Sequence, residues 1–371
     1  CSIARGKRNG RRKARIEENA RLLRGERRNW LPGVPGKWAI NKEVDVGENT
    51  RIEWPHHTFN PIIGCTKKSD GCKNCYAEEM MDHRYGRAKW GANGTRVRTS
   101  VDNWKKPYTW NRKAAKLGER HRVFCASLSD VFEDHPAWVE PRRDLLKLIV
   151  ETPNLDWLLL TKRPENALRM IEEAAEYLFK HGDVAIATKW LKWLKHGSDH
   201  ALPNVWVGAS TENQKTFDQR VPELLKIPAK VRFLSMEPLL GSIDFKIVSN
   251  VDGLEVTTDS LWGEVSIDGQ AYLPCRKIDW VIVGGESGTH ARPMHPDWAR
   301  SIRNECVAAD VPFLFKQWGE WLSHDVRCSD KYPLNMGSSE HTVFEDGLFA
   351  KVGKHNSGRL LDGVEWNQFP K

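Results

Sequence analysis

Seven short apolar runs, separated by stretches of helical period, constrain this chain more than any other feature of it. The runs are His57 to Gly64, Arg122 to Ser127, Asp156 to Thr161, Asn204 to Ser210, Val231 to Met236, Asp279 to Gly284 and Val311 to Lys316. They are rich in Val, Ile, Leu, Phe and Trp and too short for helices, so they predict strands. Between them, Pro164 to Gly182 opens on a first-turn proline, places Leu168, Ile171, Ala175 and Leu178 on one face and closes at a glycine. Pro296 to Ala309 repeats the design with Trp298, Ile302 and Cys306, and Trp138 to Val150 turns Leu145, Leu146 and Ile149 inward. Strand and helix in repeated alternation require a parallel sheet with crossover helices.

An open doubly wound sheet and a partial (β/α) barrel both satisfy that alternation. The position of the polar residues separates them. Nearly every run ends in a polar cluster: Gly64-Cys65-Thr66, Ser127 to Asp130, Thr161-Lys162-Arg163, Ser210 to Asn213, Ser235-Met236-Glu237, Gly284 to Ser287 and Lys316-Gln317-Trp318. A barrel brings such ends to one mouth, whereas an open sheet uses chiefly those at its switch point. The expectation is an α/β chain whose residues 51–325 form a partial (β/α) barrel of six or seven parallel strands. Asp252-Gly253 and Asp268-Gly269 turns between β-rich pieces predict a β-hairpin insertion at 246–278. The stretch 326–371 reads as a C-terminal extension packed on the barrel, and residues 1–50 as a basic N-terminal arm and linker.

The net charge of +8 resides in that arm: residues 1 to 28 hold eleven Lys or Arg against three Glu, so the rest of the chain balances. The arm reads as a solvated or phosphate-binding segment, and the body needs no polyanion to explain it. No run of about 18 apolar residues occurs and the N-terminus is charged, so neither a spanning helix nor a signal peptide is expected. A cytoplasmic protein is the expectation. Eight cysteines in 371 residues are too few for a disulfide scaffold, and three of them crowd into one loop. Seventeen tryptophans suggest heavy apolar packing in preference to base stacking.

That loop runs directly after the first predicted strand, with Cys65, Cys72 and Cys75 spaced C-x6-C-x2-C. Three thiolates can hold three irons of a [4Fe-4S] cluster and leave the fourth open to an external ligand. An open iron can bind and reduce S-adenosylmethionine, producing a carbon radical that abstracts hydrogen. The competing reading is a structural zinc site with His56, His57 or His83 as fourth ligand, which would make the chain a zinc-stabilised nucleic-acid-binding protein.

Trp54, Phe59-Asn60-Pro61, Gly64-Cys65-Thr66 and Gly71-Cys72-Lys73-Asn74-Cys75-Tyr76-Ala77-Glu78 resemble the cysteine motif of an uncharacterised, phage-associated family similar to radical S-adenosylmethionine enzymes. The resemblance continues through Ser127 to Phe132, Leu160 to Pro164, Val207 to Asn213, Ser235 to Leu239, Val283 to Gly288, Phe315 to Gly319 and Gly358 to Gly363. It implies a partial (β/α) barrel with the cluster loop after the first strand. It also implies a one-electron donor such as flavodoxin or ferredoxin as partner. The first cysteine gap is three residues longer than the common C-x3-C-x2-C spacing, and Asn74 stands where an aromatic usually precedes the last cysteine. Gly284-Gly285-Glu286 follows the sixth run, so the role of the superfamily's Gly-Gly-Glu segment after the second strand does not transfer to it by position.

Other strand-end residues carry both a functional and a plain reading. Tyr76, Ser129, Asp130, Ser210, Glu212 and Glu237 are candidates for binding S-adenosylmethionine, although Ser129, Asp130 and Thr211 to Asn213 also suit helix caps. Lys162, Arg163, Glu286 and Lys316 are candidates for the substrate, a nucleotide or nucleic-acid base, with surface ion pairing as the alternative for the cations.

Overall fold

The computed structural model describes residues 48, 50, 52–329, 340–345 and 347–371. The basic arm and nearly all of the expected linker lie outside the described residues, as do 330–339 of the C-terminal extension. Seven strands form one parallel sheet: β1 (His57–Thr58), β2 (His121–Cys125), β3 (Leu155–Thr161), β4 (Val205–Ser210), β5 (Val231–Met236), β6 (Trp280–Gly284) and β7 (Phe313–Gln317). They lie side by side in chain order, and every neighbouring pair is parallel. A doubly wound sheet needs a point where that order reverses, and none exists here, so the sheet curls as a half-barrel.

The crossovers are helical except one. Helix α1 (Val101–Leu117) joins β1 to β2, α2 (Val139–Glu151) joins β2 to β3, and the pair α3 (Ala167–Lys180) and α4 (Val184–His196) joins β3 to β4. Helix α5 (Gln214–Lys226) joins β4 to β5 and α6 (Pro296–Ala308) joins β6 to β7. Between β5 and β6 lies an antiparallel meander of four strands from Lys246 to Pro274, larger than the single hairpin expected. Asp252 and Gly253, like Asp268 and Gly269, have positive φ, the conformation that two-residue hairpin turns demand.

One further expectation needs correction. The run His57 to Gly64 is two pieces: β1 stops at Thr58, and Ile62–Ile63 pairs antiparallel with Val97–Arg98 outside the main sheet. Pro61 has no N–H for the ladder, and the buried Asn60 turns its side chain to the neighbouring loop, where Oδ1 accepts from the Leu128 N–H at 2.8 Å.

Alternate residues of the strands feed two separate cores. Val123, Trp157, Leu159, Val207, Leu234, Val283 and Phe315 face the helices. Phe124, Leu158, Trp206, Phe233, Trp280, Ile282 and Leu314 fill the concave side together with Trp54. A Cβ on Gly208 would come 2.4 Å from the Phe233 ring, so a side chain there is excluded by the ring opposite. The C-terminal segment runs antiparallel along β7, with the Phe315 N–H donating to the Trp366 carbonyl at 3.0 Å. Phe369 packs against Trp280 and lies under the Arg122 guanidinium, at the end of the barrel where the strands begin.

Candidate functional site

The opposite end of the barrel is open. Two residues beyond the apolar filling, or four in β4 where Gly208 intervenes, the same strand face carries Ala126, Leu160, Ser210, Ser235 and Lys316, which line a cavity of about 490 Å³. That volume suits a small-molecule site. Cys65, Cys72 and Cys75 line it too, all partly buried and free of disulfide bonds.

The cysteine loop is held by side chains from four strand ends. Gly64 opens it with φ +115°, and a Cβ there would lie 2.3 Å from the Thr95 carbonyl, so only glycine fits. The Gly71 N–H donates to Glu212 Oε1 at 3.2 Å, and Glu212 is itself gripped by Arg220 at 2.8 Å. Asn74 donates to Glu286 at 3.0 Å, and Arg292 clamps Glu286 through Nε and Nη2 at 2.8 and 2.6 Å. Tyr76 donates its hydroxyl to the Ser127 carbonyl at 2.7 Å. At Thr66 the N–H donates to Glu133 at 2.8 Å, while Arg163 donates to the carbonyl at 2.7 Å. Arg96, fully buried, binds Glu133 and the Thr66 hydroxyl.

These contacts sort the residues expected from sequence. All of them line the cavity except Glu212, whose carboxylate braces the loop from behind. Asp130 lines it but is engaged by the Thr161 hydroxyl at 2.6 Å, the Lys162 N–H at 3.0 Å and Arg163 at 2.9 Å. Ser129 donates to the Ile62 carbonyl at 2.9 Å. Glu237 accepts two bonds from the Lys316 ammonium, at 2.7 and 2.8 Å, and one from Gln317 at 3.1 Å. The Lys162 ammonium makes no hydrogen bond to a described residue, and its charge helps hold the Glu212 carboxyl below the usual range. Arg96, Glu133 and Arg292 escaped sequence reasoning: no local pattern marks them, and only the fold brings each to the loop.

The donor set decides which metal group fits. Among the described residues no group of three or more His, Cys, Asp or Glu side chains could hold a single metal ion. The histidines considered as zinc ligands are elsewhere. His57 contacts His121 at 3.1 Å and stacks on Trp110, His56 accepts from the Arg122 N–H, and His83 pairs with Glu79. No histidine lines the cavity. Thiolates of a four-iron cluster sit on different irons and need not converge on one point, and three of them leave one iron open. Burial pushes the Cys65 thiol up to about 12, with Asp130 and Glu133 adding to it, and burial raises Cys75 as well, so a bound cationic group would favour the thiolate at both. The Cys72 sulfur accepts from the Lys68 N–H at 3.5 Å. Among the described residues the three thiols have no fourth side-chain ligand, so the Cys3His zinc set lacks its histidine, while three thiols are the number of protein ligands that a cluster with one open iron takes.

The chain belongs to the family described as "Protein of unknown function (DUF5131)", which matches residues 49–370. No curated protein sequence matches it. Among solved structures it is similar to a spore photoproduct lyase double mutant with bound AdoMet and dinucleoside spore photoproduct. Identity is 10%, covering 91% of this chain and 86% of that one, with a TM-score of 0.38. A single mutant of spore photoproduct lyase gives 10% identity, coverage of 91% and 86%, and a TM-score of 0.37.

Proposed function

We propose that this DUF5131 member is a radical S-adenosylmethionine enzyme, with Cys65, Cys72 and Cys75 as the ligands of a [4Fe-4S] cluster. One observation carries the reading: three partly buried thiols line a cavity of about 490 Å³, which no histidine lines among the described residues, at the mouth of a parallel half-barrel. When bound, cluster and cofactor would supply one-electron cleavage of S-adenosylmethionine to methionine and a 5′-deoxyadenosyl radical that abstracts hydrogen.

The chain's own residues bind and orient. Glu237, fixed by Lys316 and Gln317, and Ser210 offer polar atoms to the amino group and ribose of the cofactor from the cavity wall. Tyr76, tied to Ser127, closes the loop side. Lys162 presents an ammonium to a phosphate or carboxylate. Deeper in, Ile52, Trp54, Phe124 and Leu160 form an apolar throat, where the buried Trp54 N–H has no partner among the described residues and can donate to a flat ring with an acceptor. Cation at the mouth and apolar throat below support a nucleotide or nucleic-acid base as substrate, with the arm of residues 1 to 28 adding phosphate contacts. No helix among the described residues is long and apolar enough to cross a membrane. The cytoplasm, with flavodoxin or ferredoxin as electron donor, completes the reading.

The test is anaerobic reconstitution. The protein should turn brown with about four irons per chain, and Cys65→Ala, Cys72→Ala or Cys75→Ala should each abolish the colour. Given reductant and S-adenosylmethionine it should release 5′-deoxyadenosine. A colourless protein holding one zinc ion ends the proposal.

A further inference from the structure

We propose that Arg163 is a positioning residue for the Cys65 sulfur and not a contact for the substrate. The inference rests on reading Cys65 as a cluster ligand. Arg163 leaves the end of β3 and is only 7% exposed. Its Nη1 donates to Asp130 at 2.9 Å and stands 3.9 Å from the Cys65 sulfur, while Nη2 donates to the Thr66 carbonyl at 2.7 Å. A guanidinium is a rigid planar fork, so an arm anchored on Asp130 dictates where the other arm holds Thr66. Asp130 is itself fixed to the strand end by Thr161 and the Lys162 N–H.

The other side of Thr66 is held as firmly. Glu133 accepts its N–H, and Arg96 binds both Glu133 and the Thr66 hydroxyl at 2.7 Å. The residue following Cys65 is therefore held at its N–H, its carbonyl and its hydroxyl by three side chains. Two arginines and two carboxylates balance in charge, so the clamp is complete within the protein before any metal arrives. Both terminal nitrogens of Arg163 are engaged, whereas the ammonium of its neighbour Lys162, also in the cavity wall, makes no hydrogen bond to a described residue. The guanidinium beside the sulfur places a permanent positive charge next to one thiolate of the cluster, and a cation there favours the reduced, more negative state.

The experiment uses the full chain in two states. In the metal-free protein, hydrogen exchange over residues 64–68 should rise about tenfold in Arg163→Met, the loss expected for one charge-assisted hydrogen bond. Arg163→Lys should raise it too, because an ammonium cannot span Asp130 and Thr66 together. After anaerobic reconstitution the cluster midpoint potential should fall in Arg163→Met and stay near wild type in Arg163→Lys, which keeps the charge. If Arg163→Met does not fold, Arg163→Lys and Glu133→Gln carry the exchange arm. Unchanged exchange over 64–68 in the folded variants, or an unchanged potential in Arg163→Met, overturns the proposal. Failure of every form to take up iron defeats the cluster reading, and the exchange result still decides whether Arg163 holds the loop.

Discussion

At the scale of single residues, the buried charges around Thr66 are the most exposed to mutation in the energetic sense. The Arg96 side chain has no solvent contact and that of its partner Glu133 almost none. Replacing Arg96 by Met leaves a buried carboxylate with one cation fewer, so stability should fall by about 3–5 kcal/mol, read from urea denaturation. His56 and His57 give a second prediction. Burial is the chief cause that lowers both from 6.5 to about 4, aided by Arg122 at His56 and by His121 at His57. The unfolded chain takes up these protons near pH 6.5 and the folded one only near pH 4, so stability held above pH 6.5 is lost as pH falls toward 4. The urea midpoint should decline across that interval, and His57→Gln should make the decline shallower. An equal slope in both proteins would show that His57 is not among the groups responsible.

At the scale of elements, turn and cap chemistry and the parallel sense of the sheet were legible, and the residues that meet across strands were not. Asn213 was readable as a helix cap before Phe217 and Val221, and it closes a full capping box with Thr216 at the start of α5. Pro164 opens the 3-10 turn Pro164–Asn166 that leads into α3, and Pro296 opens α6, because a first-turn position needs no N–H. Helices α1 and α4 were missed: α1 carries Pro107 in its interior, and α4 mixes Trp and Lys so closely that its period is blurred. Gly208 interrupts the apolar run of β4, and the Phe233 ring on the opposing strand is the reason. Gly208→Ala should force the Phe233 ring out of place and cost about 1–3 kcal/mol, with near-ultraviolet circular dichroism reporting the displaced aromatic packing.

At the scale of the whole molecule, the C-terminal segment closes the barrel end away from the cavity. Trp366 packs on Phe313, Phe369 packs on Trp280, and the Gln368 carbonyl accepts from the Trp280 indole at 3.0 Å. Ending the chain after Glu365 removes both aromatic rings and the strand pairing with β7. The melting temperature should fall by several degrees, since losing two packed aromatic rings costs about 3–5 kcal/mol or more and each 1 kcal/mol moves a chain of this size by about 1–2 °C. Because the plug lies at the far end of the strands, iron uptake at the cysteine loop should survive the truncation at temperatures where the protein stays folded. A melting temperature equal to that of the full chain would show that the segment contributes no closure.

Period and punctuation were enough to locate the strands of the half-barrel, the cysteine loop after the first of them, and the charged ends that gather at one mouth, because these depend on neighbours within a few positions. Contacts between distant positions decided the rest. Arg96 meets Glu133, Gly71 meets Glu212, and Asn74 meets Glu286 across separations of 37, 141 and 212 residues. No local pattern encodes such a meeting. Asp130, Arg163 and Glu212 could be chosen from sequence as polar strand ends, but whether a strand-end charge faces a ligand or braces a loop depends on which opposite charge the closed sheet delivers to it.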